Sequence, residues 1–285
     1  MRRFFFVFLS TLLLATLVYF SAIKRTKGFC TKKILSHHSY NPKWDLGPLS
    51  QKEKELLARI GEEPFTLLGS GKECYAFVSE DGEIVVKFFK QNHMKEGYLR
   101  KYLPFPKTVR IRAQEMEQKH REKREALFQS YLIAYHTLKE ETGVEYLHLT
   151  QTKGLNQTIR IKTNEGKTIK LNLDEMEFLV QKRATPIFDE IDRHPEKGEK
   201  IIASIIDLIK TRKSKGIGDF DINCERNLGL FGDKAMQIDI GEFYPIKPSP
   251  PTKEELFEAT LDLRAFLENK HPELIPTLDE KIKSF

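Results

Sequence analysis

Two short polar segments hold most of the side chains in this chain that could do chemistry. One reads Gly218-Asp219-Phe220-Asp221-Ile222-Asn223-Cys224-Glu225-Arg226-Asn227, the other Ile238-Asp239-Ile240-Gly241. Carboxylate and amide oxygens are hard ligands, and they suit magnesium carrying phosphates. One aspartate of such a set can orient or deprotonate a hydroxyl, while a second aspartate and an asparagine hold a metal that spans phosphate oxygens. Taken singly, either segment is explained as well by Asx turns and helix caps, where Asp and Asn are routine. Two further features tip the balance toward chemistry. Lys87 sits inside the apolar run Ile84-Val85-Val86-Lys87-Phe88-Phe89. An ammonium there needs a partner anion, or an edge strand that leaves it wet. Gly69-Ser70-Gly71-Lys72 is a glycine turn whose backbone N–H groups would suit phosphate oxygens, although a plain hairpin turn accounts for the two glycines equally well.

The elements that must position these residues follow from periodicity and turn signals. Residues 65–68, 75–78 and 84–89 read as strands, with Asp81-Gly82 as a tight turn between the last two. Residues 110–140 are rich in good helix formers, and Leu127, Phe128, Tyr131, Ala134, Tyr135 and Leu138 return at helical spacing, with Gly143 closing the helix. Glu125, and after it Glu122, are the carboxylates on this helix that could partner Lys87. Strands are expected at 146–149, 158–162, 168–173 and 177–181, the middle pair turning at Asn164-Glu165-Gly166. Pro186 and Pro195 are expected to interrupt regular structure. A buried helix spans 200–212, a polar loop 219–227, and a hairpin pairs 228–230 with 235–240 across Gly232-Asp233. One helix is expected over 254–268 and a weaker one at the C-terminus. Ser50, with Glu53 three residues on, caps a short helix over 52–60.

In this order, the glycine loop, strand lysine, helix glutamate, Asp…Asn loop and Asp-x-Gly turn resemble the protein kinase-like superfamily, in the manner of its atypical bacterial kinases and small-molecule phosphotransferases. The resemblance covers residues 65–243. It implies an α+β, two-lobed fold with an antiparallel-sheet N-lobe and a reduced, mainly helical C-lobe. It further implies ATP and Mg2+ as cofactors. Gly69 and Gly71 would cover the nucleotide, Lys87 would pair with its phosphates and with Glu125, and Gln181 would lie in the strand leading to the hinge, whose backbone holds adenine. Asp219 or Asp221 would be the catalytic aspartate, Asn227 and Asp239 the metal ligands. Cys74 replaces the third glycine of the loop, and Gly218 precedes Asp219 where ordinary kinases have a histidine before the aspartate. Asn227 lies six residues after Asp221 and eight after Asp219. Ordinary kinases use five, which leans the assignment toward Asp221. A phosphotransferase with an unknown small-molecule or protein acceptor is the reading this supports. A catalytically inactive, pseudokinase-like nucleotide-binding or scaffold module is the alternative.

Composition limits the other possibilities. The 285 residues are 40% hydrophobic and 31% charged, which argues against wholesale disorder and against a multi-span transporter. Lys+Arg number 47 and Asp+Glu 41, interleaved, so the net charge of +6 allows a nucleic-acid footprint without demanding one, and an unrelated mixed α/β domain that binds protein or nucleic acid is a third reading. The basic run at 210–215 reads as a solvated helix end. Three cysteines, Cys30, Cys74 and Cys224, make no disulfide scaffold and no zinc spacing. Residues 4–23 are uncharged and long enough to span a bilayer, with Arg2 and Arg3 before them and Lys24, Arg25, Lys27, Lys32 and Lys33 after. The expectation is a single-pass anchor at 1–23 in an inner or plasma membrane, with the rest cytoplasmic and a cleaved signal peptide as its rival. A linker with a short helix would follow at 24–64, the first lobe at 65–183 and the second at 184–285.

Overall fold

The computed structural model describes residues 16, 28–91, 94, 106–163 and 166–284. The expected membrane anchor and the Asn164-Glu165 turn lie outside the described residues, Thr16 excepted. Among the described residues no helix is long and apolar enough to cross a membrane.

The elements run in chain order as α1 (Gln51–Glu62), β1 (Pro64–Ser70), β2 (Cys74–Ser79), β3 (Ile84–Phe89), α2 (Lys107–His136), α3 (Lys139–Thr142), β4 (Val144–His148), β5 (Thr158–Lys162), β6 (Thr168–Asn172), β7 (Phe178–Lys182) and β8 (Thr185–Pro186). They continue as α4 (Ile187–Arg193), α5 (Gly198–Ser214), β9 (Ile217–Asp219), α6 (Cys224–Asn227), β10 (Leu228–Phe231), β11 (Lys234–Gln237), β12 (Phe243–Pro245), α7 (Lys253–Ala259), α8 (Leu261–Lys270) and α9 (Ile275–Lys283). This mixed α/β order is consistent with the α+β fold the resemblance implies, but the parallel β1–β5 pair departs from the antiparallel sheet expected of the first lobe. Two compact units emerge: Met1–His93 with His148–Phe178, and Met94–Leu147 with Leu179–Phe285. The long helix α2 therefore belongs to the second unit.

In the first unit β3, β2, β1, β5 and β6 lie side by side. The pairs β1–β2, β2–β3 and β5–β6 are antiparallel, and β1–β5 is parallel. Strict alternation in β2 buries Tyr75 and Phe77 on one face. Aromatic rings then run through the core, Phe29 to Phe77 at 5.0 Å and Phe77 to Phe88 at 5.8 Å edge to face, and Phe88 to Phe178 at 5.8 Å with tilted planes. The predicted capping box is present: Glu53 N–H donates to Ser50 Oγ, and Ser50 N–H donates to Glu53 Oε2 at 2.8 Å.

The second unit buries isoleucine and leucine side chains of α4, α5, α7, α8 and α9 around Ile202, Ile205, Leu256, Leu263 and Leu278. Three local expectations are corrected here. Pro186 does not break structure; it stands at the start of α4, where no N–H is needed, and Asp189 and Glu190 favour that helix terminus. The helix expected over 254–268 is two helices, divided at buried Thr260, whose hydroxyl donates back to the Leu256 carbonyl at 2.8 Å. The run at 210–215 is not wholly solvated, because Arg212 is buried.

Gly143 ends α3 in the left-handed region, φ 62°, and a Cβ there would lie 2.3 Å from Met236 Sδ. Gly143→Ala is expected to cost about 1–3 kcal/mol in denaturant unfolding. A loss under about 0.5 kcal/mol would contradict this reading of the turn.

Candidate active site

In the first unit the glycine turn joins β1 to β2. β1 carries a bulge between Leu67 and Gly69, after which Gly69 pairs with Ala76 and Ser70 with Tyr75. The Gly71 N–H donates to the Cys74 carbonyl at 3.0 Å. That N–H is thus used inside the turn, contrary to the expectation of a free phosphate donor. Neither glycine has positive φ, a Cβ at Gly69 would meet nothing within 4 Å, and at Gly71 the nearest atom would be 3.9 Å away. Backbone geometry and local packing therefore do not require these glycines, which leaves open space over the turn. Lys90 ties the turn down. Its ammonium donates to Ser70 Oγ at 2.9 Å and to the Gly71 carbonyl, and lies 4.4 Å from the centre of the Tyr75 ring. Burial pulls its pKa below the ordinary lysine value. Lys87 stands opposite Ala76 in the β2–β3 ladder, half-buried between buried Val86 and Phe88.

The second unit brings the loop residues together. Asn227 ends α6 and is buried, and its Nδ2 donates to the Asp221 carbonyl at 2.7 Å. Its own carbonyl accepts the N–H of Ile238 at 2.7 Å and of Asp239 at 3.4 Å. Thus the backbones of residues 221, 227 and 239 are joined through one asparagine. With Nδ2 so engaged, the Oδ1 of Asn227 is the atom left for a cation.

The two aspartates of the first segment have different jobs. Asp219 is buried at the end of β9, where it accepts from Arg212 Nη1, from Gln237 Nε2 and, at 3.1 Å, from the Asp221 N–H. Burial pushes its carboxyl pKa up, and Arg212 chiefly holds that rise back. Asp221, by contrast, is exposed, its side chain 49% accessible, with Arg226 Nη2 at 3.9 Å. Asp219 therefore shapes the loop, and Asp221 is the carboxylate a ligand can reach. Asp239 is likewise exposed.

Helix α2 fixes the second acidic turn. Ser130 Oγ donates to the Ile240 carbonyl and accepts the Phe243 N–H at 2.7 Å, while a Cβ at Gly241 would lie 3.1 Å from Leu127 Cδ1. Glu125 is half-buried on the same helix, and Glu122 is exposed and bonded to Gln118. Of the two candidates Glu125 is the one turned toward protein. The Gln181 side chain is fully committed within the unit: its Nε2 donates to the Thr142 carbonyl at 2.6 Å and the Gln237 carbonyl at 3.3 Å. Any ligand contact at this position falls to its backbone.

Arg212, Gln237, Ser130 and Lys90 were missed by reading the sequence for reactive groups. Arg212 had a signal: it continues the buried stripe Ile201, Ile205, Leu208 of α5 at spacings of four, three and four. Ser130 had the same kind, a hydroxyl amid Leu127, Phe128 and Tyr131. Gln237 and Lys90 had none.

The oxygens of Asn227 and Asp239 fit a hard cation that arrives with phosphates and keeps some of its water. Among the described residues no group of three or more His, Cys, Asp or Glu is arranged to hold a metal alone.

No protein-family model matches the chain, and no curated protein matches it. Similar solved structures include the Rv3197–erythromycin complex from Mycobacterium tuberculosis, 15% identical with TM-score 0.34, which covers 82% of this chain and 60% of that one. The bifunctional kinase-methyltransferase WbdD is 16% identical with TM-score 0.34, covering 68% of this chain and 34% of its own. The streptomycin–ATP–APH(2")-IIa ternary complex is 12% identical with TM-score 0.27, covering 83% and 87%. The chain thus spans 60% of the length of the first of these and about a third of WbdD.

Proposed function

We propose that this chain is an ATP- and magnesium-dependent phosphotransferase of kinase-like fold, tethered to a membrane by its N-terminal segment. The observation that carries the reading is the joining of Asp221, Asn227 and Asp239 through the Asn227 backbone and amide. It turns two weak sequence segments into one cluster of one exposed proton acceptor and two hard ligands. Open space over Gly69 and Gly71, and the half-buried Lys87 of β3, support a nucleotide-covering first unit.

In the proposed reaction an acceptor hydroxyl oxygen attacks the γ-phosphorus of ATP. The bond from that phosphorus to the β,γ-bridging oxygen breaks, and ADP leaves with the electron pair. Asp221 orients the hydroxyl and takes its proton. The resemblance assigns Lys87 to the phosphates, and Asn227 and Asp239 would hold magnesium, which would supply charge neutralisation on the phosphate oxygens. Catalysis of this kind rests on positioning and electrostatics.

The reading is tested with Lys87→Met. The variant is expected to lose release of ADP from magnesium-ATP while its unfolding free energy stays within about 1 kcal/mol of the parent. Equal ADP release by parent and variant would remove the mechanism.

A further inference from the structure

Phe220 is the most exposed of the exposed large apolar side chains among the described residues, with 72% of its surface accessible, and it directly precedes the proposed proton acceptor. It is nevertheless held in place. β9 and β12 pair Asp219 with Phe243 and Gly218 with Tyr244, and the Phe220 N–H donates to the Glu242 carbonyl at 3.1 Å. The Tyr244 ring lies over Gly218, where a Cβ would come within 2.5 Å of its Cζ. The Phe220 ring then stacks on Tyr244, with centroids 3.9 Å apart and planes inclined by 18°. Glycine, tyrosine and phenylalanine thus make a layered support that ends in one bare aromatic face. A ring already fixed loses little conformational freedom when a ligand stacks on it.

What could lie on that face is limited by its surroundings. The cavity behind the loop, lined by Asp219, Asp221, Cys224 and Asn227 among others, has a volume of about 20 Å³. That is room for a single water. An organic acceptor therefore meets Asp221 from the solvent side, where Phe220 and the 48% exposed Ile222 flank it in sequence. Asp221, Glu225 and Glu242 are exposed carboxylates in this stretch, with Arg226 as the cation beside Asp221. Carboxylates accept from hydroxyl donors and repel anions. Resting on the phosphotransferase reading above, we infer that the Phe220–Tyr244 stack is the acceptor platform, and that the acceptor is a ring with a flat apolar face and hydroxyl groups, bearing no negative charge.

Phenyl β-D-glucopyranoside carries two candidate faces, an aryl ring and a pyranose ring, in one probe. Saturation-transfer NMR on the full chain is expected to show transfer to the protons of one ring, and which ring receives it identifies the source of the stacking face. Phe220→Ser is expected to reduce the transfer at least fivefold. Tyr244→Phe, which keeps the stack, should retain it, and phenyl β-D-glucuronide, the anionic counterpart, should show at least fivefold less. No transfer in the parent, equal transfer in Phe220→Ser with its fold intact by circular dichroism, or equal transfer to the glucuronide would overturn the inference. Magnesium-ATP binding, measured on the same sample, separates the two readings. If nucleotide binds and no ring contacts Phe220, the platform fails alone. If a ring binds through Phe220 and nucleotide does not, the platform stands as a ligand site and the phosphotransferase reading fails.

Discussion

Arg212→Met is expected to lower the stability of the second unit by about 3–5 kcal/mol, the largest loss for any single side chain of the candidate site. Its guanidinium bonds buried Asp219 and, at 2.8 Å, Gln237 Oε1. Removing one member of a buried pair leaves the other charge without compensation. The loss carries a pH signature. Burial already raises the Asp219 carboxyl, and Arg212 is the main influence opposing it. Without the guanidinium the folded-state pKa climbs further above the unfolded value. Between the two values the folded chain then holds a proton that the unfolded chain has released, so stability falls as pH rises through that window. The variant should thus be penalised most near neutrality and least below the ordinary carboxyl value, at about pH 3. Urea unfolding at both pH values checks this. The further change Asp219→Asn should restore part of the stability of Arg212→Met at neutral pH. An equal loss at both pH values, or no restoration, would contradict the pairing.

The second large effect separates the two aspartates. Asp221→Asn is expected to slow ADP release from magnesium-ATP by about 10²–10⁴-fold, the usual worth of a positioned general base. Its unfolding free energy should move by no more than about 0.5 kcal/mol, because the side chain is exposed. Asp219→Asn should do the reverse in kind: destabilise the unit by leaving Arg212 short of its anion, with any loss of rate following from the loosened loop. Comparing rate and stability for both variants distinguishes the reactive carboxylate from the supporting one. The choice of Asp221 fails if Asp219→Asn is the stable, inactive protein of the two.

Much of this architecture was legible in the sequence because its signals are local. The capping box of α1, the Asp81-Gly82 and Gly232-Asp233 turns, the left-handed Gly143 and the apolar stripe of α5 each declare themselves within a few residues. The bulge in β1 and the helix started by Pro186 were not legible, since both depend on what the segment meets next. The site divides the same way. Asp221, Asn227 and Asp239 stood out by residue type, and the lean toward Asp221 came from spacing. That Asp219 is a buried structural anchor could not be read from the loop, because its partners Arg212 and Gln237 lie on α5 and β11. The same holds for Ser130, which steadies the Asp239 turn from a helix far away in sequence. Long-range pairing of polar groups leaves no local pattern, only the odd polar residue in an apolar stripe.

In the proposed site Asn227 and Asp239 would hold a magnesium ion that carries nucleotide phosphates. Calorimetric titration of ATP into the full chain, with magnesium and then with the metal chelated, tests it most directly when repeated on Asp239→Asn. Binding is expected to need magnesium in the parent and to be at least tenfold weaker in the variant. Binding of equal strength with and without the metal, or in parent and variant alike, would contradict it.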